Sequence, residues 1–145
     1  MRKLLTLTAI LTAAVIGLTA GQWFASTPAT AQVTIETPSG AEMAQAADML
    51  IVDIREPDEW KQTGVVEGAL LHSYRDPASF LAAVTPYLRE GQKIGVICRS
   101  GNRSNRAVQA LSSATDIPVV DIGGGMNRVL SEGYRPVAPT AAKGC

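Results

Sequence analysis

The chain has 145 residues, 46% of them apolar and 18% charged, with 13 cations balancing 13 anions. That apolar share excludes an intrinsically disordered chain, and the length fits one domain. The neutral balance argues against a nucleic-acid binder, which needs a net basic face. Once Arg2 and Lys3 are set aside the remainder is slightly acidic, and about 100 residues suffice for one modest core.

The first 31 residues differ from the rest. Met1-Arg2-Lys3 is a short positive start, followed by an uncharged, mostly apolar stretch and then small polar residues. Ala29-Thr30-Ala31 fits the small-x-small rule for signal peptidase, so residues 1–31 read as a signal peptide cleaved after Ala31. Residues 4–24 are also long enough to cross a bilayer, which leaves a retained anchor as the alternative. Either reading exports the domain, with a bacterial periplasmic location, and the membrane is contacted only if the leader is uncleaved. No cysteine follows the apolar run, which argues against a lipoprotein.

Residues 32–137 carry the domain. Residues 41–49 are rich in Ala and Met, good helix formers. Leu50-Ile51-Val52-Asp53 is a short apolar run ended by a charge, and Ala69-Leu70-Leu71 is a weaker one. Residues 77–88 put Phe80, Leu81, Val84 and Leu88 on one helical face, with Pro86 kinking or ending the helix. Ile94-Gly95-Val96-Ile97 is the next apolar run, then comes a helix over 104–111 with Ser104 as its cap. Pro118-Val119-Val120-Asp121-Ile122 follows, and Gly124-Gly125 precedes a last turn over 126–130. Short unbroken β-branched runs read as strands buried on both faces. Alternated with helices, they predict an α/β fold: a small, mostly parallel sheet with helices on both faces. Residues 138–145 have no pattern and read as a flexible tail.

The chemistry concentrates in Cys98-Arg99-Ser100-Gly101-Asn102-Arg103-Ser104. A buried strand delivers Cys98 to its carboxyl end, where open α/β sheets bind ligands. Loop N–H groups curled toward one centre make an anion nest, and the following helix start adds positive potential. Arg99 and Arg103 add full charges. Each effect favours thiolate over thiol at Cys98, and the same cradle would hold an anionic substrate. A nucleophile beside an anion receptor points to covalent attack on an anion.

These segments together resemble a single-domain rhodanese over residues 33–137. The loop 98–104 matches the family's active loop. Leu50-Ile51-Val52-Asp53-Ile54-Arg55 followed by Glu59-Trp60 resembles its Val-Asp-x-Arg signature and following helix. Gly64-Val65-Val66-Glu67-Gly68-Ala69 resembles its Gly-His-Ile-x-Gly-Ala element, and Gly124-Gly125-Met126 its late Gly-Gly. Val65 stands where the family usually has His, and Val129 where it often has Trp.

The resemblance implies a rhodanese-like fold and sulfur transfer. The Cys98 thiolate takes the outer sulfur of a small anionic donor such as thiosulfate, expels sulfite, and passes the sulfur to a thiol or cyanide acceptor. Cys98 is the catalytic residue. Arg99, Ser100, Gly101, Asn102, Arg103 and Ser104 form the substrate-binding loop, in which the amides and Arg103 stabilise the terminal sulfur and the more exposed Arg99 guides anions in. Asp53 and Arg55 support the site without being catalytic: Asp53 holds a loop by backbone hydrogen bonds, or the alternative is a surface ion pair of Arg55 with Glu56 or Glu59.

Other readings stay open. A related phosphatase or arsenate reductase loop has five residues between Cys and Arg, whereas here there are four, a cradle suited to sulfur rather than phosphate. A thiol redox protein would pair Cys98 with Cys145, since no Cys-x-x-Cys exists. A persulfide-sensing or binding module of the same fold is the non-enzymatic alternative. His72, the sole His, follows a strand and could reach the same sheet edge as Cys98. One His and two distant cysteines argue against a metal site, and no cofactor is expected.

Overall fold

The computed structural model describes residues 30–141. Residues 1–29, most of the expected leader, and residues 142–145 with Cys145 lie outside the described residues. Five strands form one sheet: β1 Val33–Glu36, β2 Met49–Asp53, β3 Leu70–Leu71, β4 Lys93–Ile97 and β5 Val119–Ile122. They lie in the order β1-β5-β4-β2-β3, and every neighbouring pair is parallel. The helices are α1 Gly40–Gln45, α2 Pro57–Thr63, α3 Pro77–Val84, α4 Asn102–Ser112 and α5 Gly125–Ser131.

Because side chains alternate across a strand, the apolar runs serve two cores at once. Leu50, Val52, Ile94, Val96 and Val119 meet Phe80 and Val84 of α3 and Ala107, Val108 and Leu111 of α4. Met49, Ile51, Ile97, Val120 and Ile122 meet Met43 of α1 and Met126 and Val129 of α5. Fully burying such a side chain contributes about 1.5–3 kcal/mol, so a strand that does so on both faces has no room for polar alternation. A third cluster seats Trp60 of α2 against Val65, Leu71 and Val137. Val65, standing at the usual His position, is fully buried there and forms an antiparallel bridge with Val137. Val129 is likewise fully buried in the α5 core.

Several elements depart from the sequence-based reading. β1 has no apolar run: Thr34 and Glu36 interrupt it, and Ile35, on this edge strand, is 66% exposed. Its register beside β5 comes from backbone pairing, Val33 with Val119 through Glu36 with Ile122. α1 stops at Gln45, because Met49 is drawn into β2, and starts on Ser39, which forms a capping box with Glu42. α3 ends at Val84, and Pro86 sits in a 3₁₀ turn over Thr85–Tyr87. α4 starts two residues before Ser104, so Ser104 is not its cap. In the tail expected to lack structure, Pro139–Ala141 forms a 3₁₀ turn. Ala31, placed by the sequence at the end of the leader, is only 5% exposed and donates its N–H to the Ser112 carbonyl at 2.9 Å. The folded unit therefore takes in a residue that cleavage after Ala31 would remove.

Candidate active site

β4 is an inner strand and ends at Ile97, so Cys98 emerges at the carboxyl edge of the sheet, between the ends of β2 and β5. The backbone turns sharply at Gly101, whose φ of 93° lies in the left-handed region that disfavours a side chain. With that turn Gly101 becomes the N-cap of α4 but has no side chain to accept a first-turn N–H. The Cys98 sulfur faces this turn: Gly101 N–H donates to Sγ at 3.1 Å, and Ser104 Oγ lies 3.4 Å from it.

Ser104 is fully buried and its hydroxyl also donates to the Gly101 carbonyl at 3.0 Å. One hydroxyl proton cannot serve both acceptors fully. With a thiol at Cys98 the S–H can donate to Ser104 Oγ; with a thiolate the Ser104 proton can turn to the sulfur. Burial is the largest influence on the Cys98 thiol and pushes its pKa up. Hydrogen bonds from the Ser104 hydroxyl and from the amides of Ser104, Ser100 and Gly101 together outweigh it, and the net pKa is lowered. The side chain is 1% exposed, so the sulfur sits at the floor of the loop with its donors around it.

The two loop arginines have separate roles. Arg103 donates from Nη1 to Glu59 Oε2 at 2.8 Å and from Nη2 to Glu59 Oε1 at 2.6 Å, a bidentate clamp onto α2. That clamp holds the Glu59 carboxyl down at about 2 and raises the Arg103 pKa. Both terminal amino groups of Arg103 are thus committed to Glu59 rather than turned to the loop centre. Arg99 and Ser100 are exposed, and no ion pair of Arg99 occurs among the described residues. Asn102 is exposed as the first residue of α4.

Asp53 and Arg55 are not at the surface, and neither pairs with the carboxylate of Glu56 or Glu59. They are 0% and 1% exposed and pair with each other at 2.7 Å. Arg55 Nε reaches both Asp53 oxygens at 2.9 and 3.0 Å, Nη2 also reaches the Gly64 carbonyl, and Nη1 reaches Thr63 Oγ1 and the Glu59 carbonyl. The Asp53 carboxylate also accepts the Arg55 backbone N–H. This pair fastens α2 to the end of β2, and α2 in turn presents Glu59 to Arg103. Removing Arg55 would leave a buried, unpaired carboxylate.

The sequence reading passed over what the Gly-Gly pair does here. A Cβ at Gly125 would collide with the Cys98 carbonyl and lie 2.8 Å from the Arg99 carbonyl carbon. Only without that atom can α5 dock its first turn on the loop, where Met126 N–H donates to the Cys98 carbonyl at 2.8 Å and Asn127 N–H to the Arg99 carbonyl at 2.9 Å. The available signal is a Gly-Gly pair directly after a strand. His72 donates its backbone N–H to the Asp53 carbonyl, and its ring centroid lies 6.0 Å from that of Phe80.

The family model for the rhodanese-like domain matches residues 39–132. A search of curated proteins returns no match. Among solved structures, a rhodanese-related protein from Thermoplasma volcanium is 29% identical, with a TM-score of 0.50 over 68% of this chain and 94% of that one. A protein from Staphylococcus saprophyticus is 26% identical, with a TM-score of 0.48 over 68% and 96%. A rhodanese-like domain protein from Staphylococcus aureus is 19% identical, with a TM-score of 0.49 over 74% and 99%.

Proposed function

Because the chain belongs to the rhodanese-like family, whose fold is that of the sulfurtransferases, we propose that it moves sulfane sulfur through a persulfide on Cys98. The observation that carries this reading is the sulfur-centred loop: Cys98 Sγ receives the Gly101 amide at 3.1 Å beside Ser104 Oγ, and its pKa is lowered despite burial. That arrangement makes a thiolate available in a place that favours an anion.

In the first step Cys98 Sγ attacks the outer sulfur of thiosulfate or a persulfide. A bond forms between Sγ and that sulfur, the donor's S–S bond breaks, and sulfite or a thiolate leaves with the electron pair. The donor's negative charge is met by Arg99, whose guanidinium is exposed. Arg103 acts from the side, holding the loop to α2 through Glu59. The amides of Ser100, Gly101 and Ser104, with the Ser104 hydroxyl, stabilise the charge as it moves to the terminal sulfur. In the second step an acceptor thiolate or cyanide takes the terminal sulfur, and Cys98 leaves as thiolate. The two half-reactions share one covalent intermediate, so the kinetics are ping-pong.

The leader supports an exported, periplasmic location. The test of function is intact mass of the purified protein after thiosulfate treatment. A gain of one sulfur atom, lost on adding cyanide and absent in Cys98→Ala, is the expected result. A folded protein that gains no sulfur refutes the reading.

A further inference from the structure

Beside the active loop lies a groove of about 200 Å³ that the sulfur chemistry above does not use. One wall is a stripe of α4: Arg103, then Arg106 and Ala107, then Ala110, at spacings of three, four and seven residues. The small alanines leave the space open. The opposite wall is Ile54, Glu56 and Tyr74. Ile54 and Ala107 belong to the buried cluster that also holds Cys98, and Arg103 is shared by the loop and the groove wall.

Two groups in this groove lack partners. The Tyr74 hydroxyl is buried with no hydrogen-bond partner among the described residues. Burial, and secondarily Asp76, raises its pKa, so it stays a donor. The Arg106 guanidinium is exposed and forms no ion pair among the described residues. The groove's other charges are engaged: Arg103 with Glu59, and Glu56 with Arg75 at 3.2 Å. What remains is one phenol donor, one guanidinium and an apolar floor, the complement of a carboxylate on a short aliphatic stem.

We propose that this groove is the acceptor subsite and takes a small thiol bearing a carboxylate, held by Arg106 and Tyr74 with its sulfur directed past Arg103 toward Cys98. The proposal rests on the sulfur-transfer reading. The acceptor thiolate attacks the terminal sulfur of the Cys98 persulfide, a new S–S bond forms on the acceptor, and the Cys98–sulfur bond breaks to return the thiolate. No oxidant or reductant is required.

Two measurements test it. In the first, protein loaded by thiosulfate and freed of donor is mixed with 3-mercaptopropionate, 2-mercaptoethanol or cysteamine at matched thiolate concentration, and persulfide loss is timed. Discharge by the carboxylate thiol should be at least fivefold faster than by cysteamine, and Arg106→Gln should erase that preference. A preference for cysteamine, or one that survives Arg106→Gln, overturns the assignment. In the second, 3-(methylthio)propionate, which cannot accept sulfur, is titrated while amide resonances are followed. Ala107 and Ala110 should shift, and the apparent affinity should fall at least threefold in Tyr74→Phe. No shift there removes the groove as a subsite. Shifts in a protein that never forms a persulfide would keep the groove as a carboxylate site and sink the sulfur-transfer reading instead.

Discussion

Arg55 and Arg103 both stand at the carboxyl edge of the sheet, each close behind a strand end, yet their surroundings differ. Arg55 is buried, with its guanidinium bonded to Asp53, Thr63 and two carbonyls. Arg103 is about one-third exposed and holds a single partner, Glu59. The first is a structural fastener whose loss exposes the cost of a buried charge. The second is a hinge pin between α2 and the loop. Neither turns its donors to the loop centre, where the groups that face the Cys98 sulfur are backbone amides and Ser104. The contrast teaches that where a loop arginine points is set by the carboxylate opposite it.

Breaking the buried pair should have the largest effect. Arg55→Ala leaves Asp53 unpaired and should cost about 3–5 kcal/mol, a large part of the stability of a typical domain, read as a drop in the denaturant midpoint. Arg55→Ala at wild-type stability would mean that the corner is not the fastener described.

At the loop, Ser104→Ala should leave the fold largely intact but remove a donor from the Cys98 thiolate. The pH profile of Cys98 alkylation should move upward, and its rate at neutral pH should fall roughly threefold to tenfold, given about 1.5–3 kcal/mol for a hydrogen bond to a charged group and partial compensation by a more basic thiolate. An unmoved profile would assign the lowered pKa to the amides alone.

Glu59→Gln sharpens the other half. The clamp is partly exposed, so its loss should cost only about 1 kcal/mol. The Glu59 carboxyl sits at about 2 when folded against a usual 4.5, so the clamp's stabilisation is complete above 4.5 and fades as pH falls toward 2. Acid unfolding curves of wild type and Glu59→Gln should therefore converge across that window. Curves that stay parallel would show that the clamp is not ionic.

The inner strands were legible because burial on both faces forces unbroken apolar runs, as in β2, β4 and β5. β1 was not, since an edge strand with an exposed Ile35 and a polar Thr34 carries no such run. The loop was legible because Cys, Gly and two arginines between a strand and a helix have few other uses. Its inner detail was not. That Ser104 contacts the sulfur instead of capping the helix depends on α4 starting at Asn102, and sequence patterns place helix ends poorly. The partner of Arg103 lies 44 residues earlier, and only the packing of α2 brings Glu59 there. Gly125 reads as a turn residue until α5 is seen lying on the Cys98 carbonyl.

Ala31 donates to Ser112 at the far end of α4, whose first turn forms the loop. With 11 residues at about 1.5 Å each, some 16 Å of helix separates the two ends. Ala31 thus lies on the pole of the domain opposite the Cys98 sulfur. A support that gripped the domain at Ala31 would leave the Cys98 loop facing the solution.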